Sequence, residues 1–93
     1  MENKLSKLEQ DLMDLGYEDV LIFKDFPYVE AFIGVSHDNR AVYDYTKMVQ
    51  SLIDNEGMTE LEAVEWIDYN TLRALPYYEG SPIIMYPIDV DNI

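Results

Sequence analysis

The stretch Tyr28-Val29-Glu30-Ala31-Phe32-Ile33-Gly34-Val35-Ser36-His37-Asp38-Asn39-Arg40-Ala41-Val42-Tyr43 decides the fold class. Val29, Ala31, Ile33 and Val35 alternate with Glu30, Phe32 and Gly34, the period of two that marks a half-buried strand. Residues 36–40 carry turn chemistry, and Ala41-Val42-Tyr43 resumes an extended pattern. A hairpin is therefore predicted over residues 28–43. Just upstream, Val20-Leu21-Ile22-Phe23 predicts another short strand. Asp25-Phe26-Pro27-Tyr28 ends it, because Pro27 cannot donate to a ladder.

Helical patterns flank this region. Leu5, Leu8, Leu12 and Leu15 recur at three- and four-residue spacing over residues 2–15, and Gly16 is placed to end that helix in a left-handed conformation. Asp44 reads as an N-cap for a second helix whose apolar face is Tyr45, Met48, Val49, Leu52 and Ile53, and which stops at Gly57. Thr59 and Glu62 form a capping-box signature for a third helix over about residues 59–74. Leu61, Val64, Ile67, Leu72 and Leu75 are its expected core side, and Pro76 stops it. Pro82-Ile83-Ile84-Met85-Tyr86-Pro87 predicts a proline-bracketed edge strand, and an acidic tail follows over residues 88–93. The expected order is αβββααβ. That is one α+β domain over residues 1–93, with about four short, mainly antiparallel strands packed by about three helices.

Composition supports a folded chain. Hydrophobic residues make up 48% of the 93 residues, too many for a disordered acidic tail. No cysteine is present, which excludes disulfides, thiolate catalysis and cysteine-based zinc sites. Met1-Glu2-Asn3-Lys4-Leu5 lacks the apolar core of a signal peptide, and no segment approaches the ~20 apolar residues of a membrane span. The reading is a soluble, cytoplasmic protein.

Catalytic signatures are absent. There is no glycine-rich phosphate loop, no His-Glu-x-x-His helix, no EF-hand and no Gly-x-Ser-x-Gly elbow. The single histidine, His37, falls in the predicted turn beside Asp38 and reads as a solvated side chain rather than as half of an acid–base pair. Asp89-x-Asp91 lacks the glycine and closing glutamate of a calcium loop. We expect no enzyme activity, no cofactor and no dedicated metal site.

Charge is the dominant feature. Nineteen acids oppose six bases, a formal net charge of -13. After Lys47 the only base is Arg73, against nine acids. Asp54, Glu56, Glu60, Glu62, Glu65 and Asp68 follow one another with no cation between Lys47 and Arg73. Such a surface repels nucleic acid and anionic membrane and attracts basic protein surfaces. Duplex DNA carries about one charge per 1.7 Å, so thirteen charges correspond to roughly 22 Å of duplex. The total is duplex-like for a domain about 30 Å across.

The third helix concentrates the candidates. With Leu61 at zero, Glu65 falls at about 40°, Tyr69 at 80°, Glu62 at 100°, Arg73 at 120° and Trp66 at 140°. Glu62, Glu65, Tyr69 and Trp66 are therefore expected to share an outward face where acids can meet arginines and aromatics supply anchors. The competing reading is ordinary solvation of an amphipathic helix, with Trp66 half buried. Asp68, at about 340°, falls inside the expected apolar stripe, and is expected to bond amides or a tyrosine hydroxyl near Leu75-Pro76-Tyr77. Eight tyrosines are more than so small a core needs, and Tyr77-Tyr78-Glu79-Gly80 reads as an exposed loop.

Ile33-Gly34-Val35-Ser36, Ala41-Val42-Tyr43-Asp44-Tyr45, Glu56-Gly57-Met58-Thr59-Glu60, residues 66–77 and Pro82-Ile83-Ile84-Met85-Tyr86 together resemble small acidic proteins of bacteriophages and other mobile elements. That class includes anti-CRISPR and anti-restriction inhibitors, which bind the basic DNA-handling grooves of host nucleases. The resemblance transfers no catalytic residues. It implies an inhibitor whose partner is a basic host-protein surface, a CRISPR effector or another nuclease, met by Glu62, Glu65 and Tyr69, then Asp54, Glu56 and Glu79. The alternative is a small self-associating scaffold, dimeric for example, that contacts protein through Tyr77, Tyr78 and the proline-flanked strand. Either way the fold forms against its own charge. Its melting temperature should therefore rise when about 0.3 M NaCl is added to a low-salt buffer, a shift that differential scanning calorimetry measures directly.

Overall fold

Three capped helices and a small sheet arise from the local signals just described. The structure is a computed structural model that describes residues 4–24, 28–77 and 79–88. Helix α1 spans Lys4–Asp14, strands β1 and β2 span Phe32–Val35 and Ala41–Asp44, and helices α2 and α3 span Tyr45–Glu56 and Glu60–Asn70. Strand β3 spans Ile83–Met85, and short 3-10 turns occupy Val29–Ala31 and Leu72–Tyr77. The fold is α+β. The break expected at residues 25–27, Tyr78 and the tail at 89–93 lie outside the described residues.

The sheet has three strands in the order β1-β2-β3. Strands β1 and β2 form the expected antiparallel hairpin. Its turn closes through Ser36 N–H to the Arg40 carbonyl at 2.8 Å and Asn39 N–H to the Ser36 carbonyl at 3.0 Å, with Asn39 left-handed at φ 64. Asparagine tolerates that conformation better than most residues. Strand β3 then pairs with β2 in parallel, Val42 opposite Ile83 and Asp44 opposite Met85, so the sheet is mixed rather than mainly antiparallel. Parallel neighbours require a crossover connection, and α2 with α3 provide it. Arg40 Nε donates to the Ser81 carbonyl at 2.8 Å and ties the hairpin to the approach of β3.

Two predicted strand segments differ from expectation. Residues 20–24 join no ladder, so the fourth strand is absent. Residues 29–31 form a 3-10 turn instead of extending β1, set up by Tyr28, which is left-handed at φ 48. The predicted alternation also changes phase. The register steps two residues from Phe32 to Gly34 while β2 steps one, so Ile33 is bulged out and 50% exposed. Phe32 faces the core in its place and meets the Tyr43 ring edge-on at 5.6 Å.

The caps follow the sequence closely. Asp44 accepts from Lys47 N–H at 3.1 Å, and Gly57 ends α2 at φ 68. Gly16, at φ 87, ends α1, which leaves Leu15 outside the helix and 72% exposed. Only Leu12 of the leucine stripe is fully buried. Helix α3 stops at Asn70, earlier than expected. Thr71, buried, shares a hydrogen bond with Tyr28 Oη at 3.0 Å, and the chain tightens into the 3-10 turn that carries Pro76.

The core lies between the sheet and the two later helices: Val20, Tyr28, Ala31, Ala41, Tyr43, Met48, Leu52, Ala63 and Ile67 are buried. Tyr43 is its centre. Its ring lies 4.8 Å from Phe23, and its hydroxyl accepts from Phe23 N–H at 3.2 Å. Burial pushes the Tyr43 phenol up to about 12, against a smaller opposing effect from the Phe23 amide. An unfolded tyrosine ionises near 10. The preference for the neutral phenol therefore stabilises the fold fully below pH 10 and is lost as pH rises from 10 toward 12. Tyr43→Phe should lose about 1–2 kcal/mol at pH 8, since the Phe23 amide is orphaned. It should also lose less stability than the wild type between pH 9.5 and 11.5; urea titrations at a series of pH values read both effects.

Candidate functional site

The acids predicted as a site start at the end of α2 and run through α3. Asp54 and Glu56 are exposed in the last turn of α2. Asp54 accepts from Gln50 Nε2 at 2.8 Å, an i,i+4 bond along the helix surface. The chain reverses at Gly57, and the capping box forms as predicted: Glu62 N–H donates to Thr59 Oγ1 at 3.1 Å, while Thr59 N–H donates to Glu62 Oε1 at 2.9 Å. The Thr59 amide bond, then the Thr59 side chain, hold the Glu62 carboxyl below the ordinary carboxylate range. Glu62 is thus a structural acid as well as an exposed one. Glu65 is exposed one turn further on.

The rotation of α3 differs from the predicted one. Ala63 and Ile67 are its fully buried residues. On the same wheel they fall at about 200° and 240°, which centres the core side near 220°. Leu61, Glu65 and Tyr69 therefore point most directly outward, with Glu62 and Asp68 on either flank. Leu61 is 67% exposed and Tyr69 69% exposed. Trp66, read either as part of this face or as half buried, packs half-buried against the core. Asp68, expected inside the apolar stripe, is exposed and pairs with Arg73 at 3.7 Å. The Arg73 guanidinium also lies 4.9 Å above the Tyr69 ring.

An aromatic pair extends the face toward β3. Tyr45 and Tyr86 rings lie 4.7 Å apart. Burial, then Tyr86 and the Asp68 carboxylate, hold Tyr45 above its usual value, which places Asp68 within electrostatic reach of the pair. Sequence reasoning did not include Leu61, Tyr45 or Tyr86 in the site. Leu61 was assigned to the core side, and the Tyr45–Tyr86 contact joins positions 41 residues apart in sequence.

Glu79 is not part of the α3 surface. It lies in an exposed turn with Gly80, where an added side chain would meet Leu21. His37 is exposed in the hairpin turn, as expected. The side chain of Tyr77, all of Tyr78, and Asp89 and Asp91 lie outside the described residues.

Cations are distributed unequally. Lys4 pairs with Glu30 at 2.6 Å, Lys7 with Asp11 at 3.7 Å, Lys24 with Glu9 at 3.6 Å and Arg40 with Asp38 at 3.6 Å. Arg73 is held by Asp68 and Tyr69. Among the described residues no cation lies within ion-pair distance of Asp54, Glu56, Glu60, Glu62 or Glu65. Nor do three acids or histidines converge there into a metal-holding group. The face is an open field of separate carboxylates beside two exposed apolar side chains. Among the described residues no helix is long and apolar enough to cross a membrane.

Comparison with family models, with curated proteins and with solved structures finds no match to this chain.

Because Glu62 serves the helix start, its replacement perturbs stability, whereas Glu65 is free to report on binding alone. Thr59→Ala should cost about 1 kcal/mol at pH 7. The bond from Glu62 contributes above pH 4.5 and is lost as pH falls through the lowered folded value. That bond runs from the Thr59 backbone, so the difference between wild type and Glu62→Ala in urea titrations should shrink toward pH 3.

Proposed function

We propose that the chain is a non-enzymatic inhibitor that docks its acidic α3 face onto a basic, nucleic-acid-binding channel of a host defence protein, a CRISPR effector first among them. The observation that carries this reading is the run of exposed acids from Asp54 to Glu65, without a cation in ion-pair distance among the described residues, beside exposed Leu61 and Tyr69. Carboxylates supply attraction and register against arginines and lysines, while the apolar side chains supply contact area. The molecule measures 38 × 36 × 30 Å, so it can cover roughly 20 Å of a channel that would otherwise hold duplex. Occupancy would be competitive with nucleic acid and sensitive to salt. The resemblance to small acidic mobile-element proteins supports the same partner class and a bacterial cytoplasmic setting.

A second reading has its own observation. Among the described residues strand β3 pairs only with β2, and Tyr86 and Ile88 beside it are exposed. An open edge flanked by exposed apolar groups suits self-association by strand pairing, with the acidity serving solubility. Salt separates the two readings, since edge pairing depends on it weakly.

The test is DNA cleavage by a panel of guide-loaded CRISPR nucleases and restriction enzymes, with this protein added before DNA. Inhibition of one enzyme should weaken by about tenfold or more between roughly 50 and 300 mM NaCl. Glu65→Lys and Tyr69→Ala should each weaken inhibition about tenfold without changing the melting temperature. The double change Glu62→Lys with Glu65→Lys should weaken it further. Inhibition that survives the double change would remove this face as the site.

A further inference from the structure

A groove of about 670 Å³ lies on another part of the molecule, between residues 18–24 and the end of α3. Leu21 forms one wall; Trp66, Asn70 and Ala74 form the other. Residues 20–24 pass along it with no helix, turn or bend, and belong to no ladder. Their main chain is largely unpaired among the described residues. Val20 N–H donates to the Tyr17 carbonyl at 3.1 Å and Phe23 N–H to Tyr43 Oη at 3.2 Å. The amides of Leu21, Ile22 and Lys24 have no backbone partner there. Successive amides of a strand-like chain point to opposite sides. With Phe23 N–H turned in toward Tyr43, those of Ile22 and Lys24 face away from it. An unpaired main-chain edge beside a groove of mixed polar and apolar lining is a template for an added strand.

The rim is acidic. Glu18 and Asp19 line the groove and have no cation within ion-pair distance among the described residues. Lys24, the one base in the lining, is already engaged by Glu9 at 3.6 Å. A side chain at Gly80 would meet Leu21 at 3.9 Å, so the turn that carries Glu79 runs close to that wall. We propose that this groove binds an extended, basic segment of a partner protein by strand addition to residues 20–24. Its alternate apolar side chains enter between Leu21 and Trp66, and its lysines or arginines meet Glu18, Asp19 and Glu79. The site is distinct from the outward face of α3 and does not depend on that face being an inhibitor surface.

Trp66 is the only tryptophan in the chain, so its emission reports the groove directly. The probe is a capped eight-residue peptide in which lysine and valine alternate, titrated into the full-length protein. The expected result is a saturable change in Trp66 emission with a Kd of order 100 µM or tighter. The same peptide N-methylated at alternate residues, which keeps its charge but loses main-chain donors, should bind at least about tenfold more weakly. A peptide with glutamate in place of lysine should give no saturable change. Glu18→Lys with Asp19→Lys should weaken the basic peptide about tenfold while far-UV circular dichroism is unchanged, and Glu65→Lys should leave it unaltered. No saturable change below about 1 mM would overturn the proposal, as would equal binding of the N-methylated or the acidic peptide. Should the doubly reversed variant fail to fold, the three peptides on the wild-type chain still decide the matter.

Discussion

The hydrogen bond from Phe23 N–H to the buried hydroxyl of Tyr43 organises the molecule. Tyr43 sits on the middle strand, and a phenol taken out of water there needs a partner. It finds one in the main chain of a neighbouring segment rather than in a side chain. The same contact sets the Phe23 ring at a tilt against Tyr43 and edge-on against Tyr28. Tyr28 in turn reaches Thr71 at the end of α3. One chain of buried aromatics therefore links the sheet, the irregular segment and the last helix. The geometry has a cost in regularity, because an amide given to a tyrosine hydroxyl is not available to a ladder. Residues 20–24 stay close to the sheet without joining it, and the groove beside them stays open.

Local signals were legible in the sequence to the degree that they are local. Asp44, Gly57 and the Thr59–Glu62 box sit where their chemistry demands, because a cap depends only on residues within one turn. The hairpin was legible for the same reason. Its phase was not: a bulge at Ile33 is decided by what Phe32 gains by packing on Tyr43, a contact across the sheet. The strand composition of Val20-Leu21-Ile22-Phe23 was real, but its tertiary partner is a side chain. Strand β3 carried no mark of parallel pairing, since three apolar residues between prolines fit either direction.

The candidate surfaces divide in the same way. Exposure of Glu65 and Tyr69 could be read from spacing. The rotation of α3 could not, because Leu61, Val64, Trp66 and Ile67 distribute apolar character around the helix, and the small Ala63 that marks the buried side gives a weak signal. That ambiguity misplaced Leu61 and Asp68 together, as a rigid rotation must, and left Trp66 between two readings. The groove was invisible to sequence reasoning, since its two walls lie more than forty residues apart. Charge told more. The pairing of bases with acids in the first half of the chain leaves the second half with an uncompensated field.

The parallel alignment of β2 with β3 also bears on how the chain reaches this state. Val42 and Ile83 are neighbours in the sheet, and Arg40 reaches Ser81 across an interval of 41 residues. Both contacts close a loop that contains α2 and α3 entire. Closing it costs less entropy once those helices are formed and paired, because fewer conformations of the intervening chain remain to be lost. The hairpin and the helix pair are low in sequence separation and suit an early nucleus, whereas docking of β3 is the non-local event that slows such topologies. The expected order of assembly thus follows from the sequence separation of β3 from its partner strand. An antiparallel β3, reached from the same end of α3, would have drawn the chain to the opposite end of the sheet.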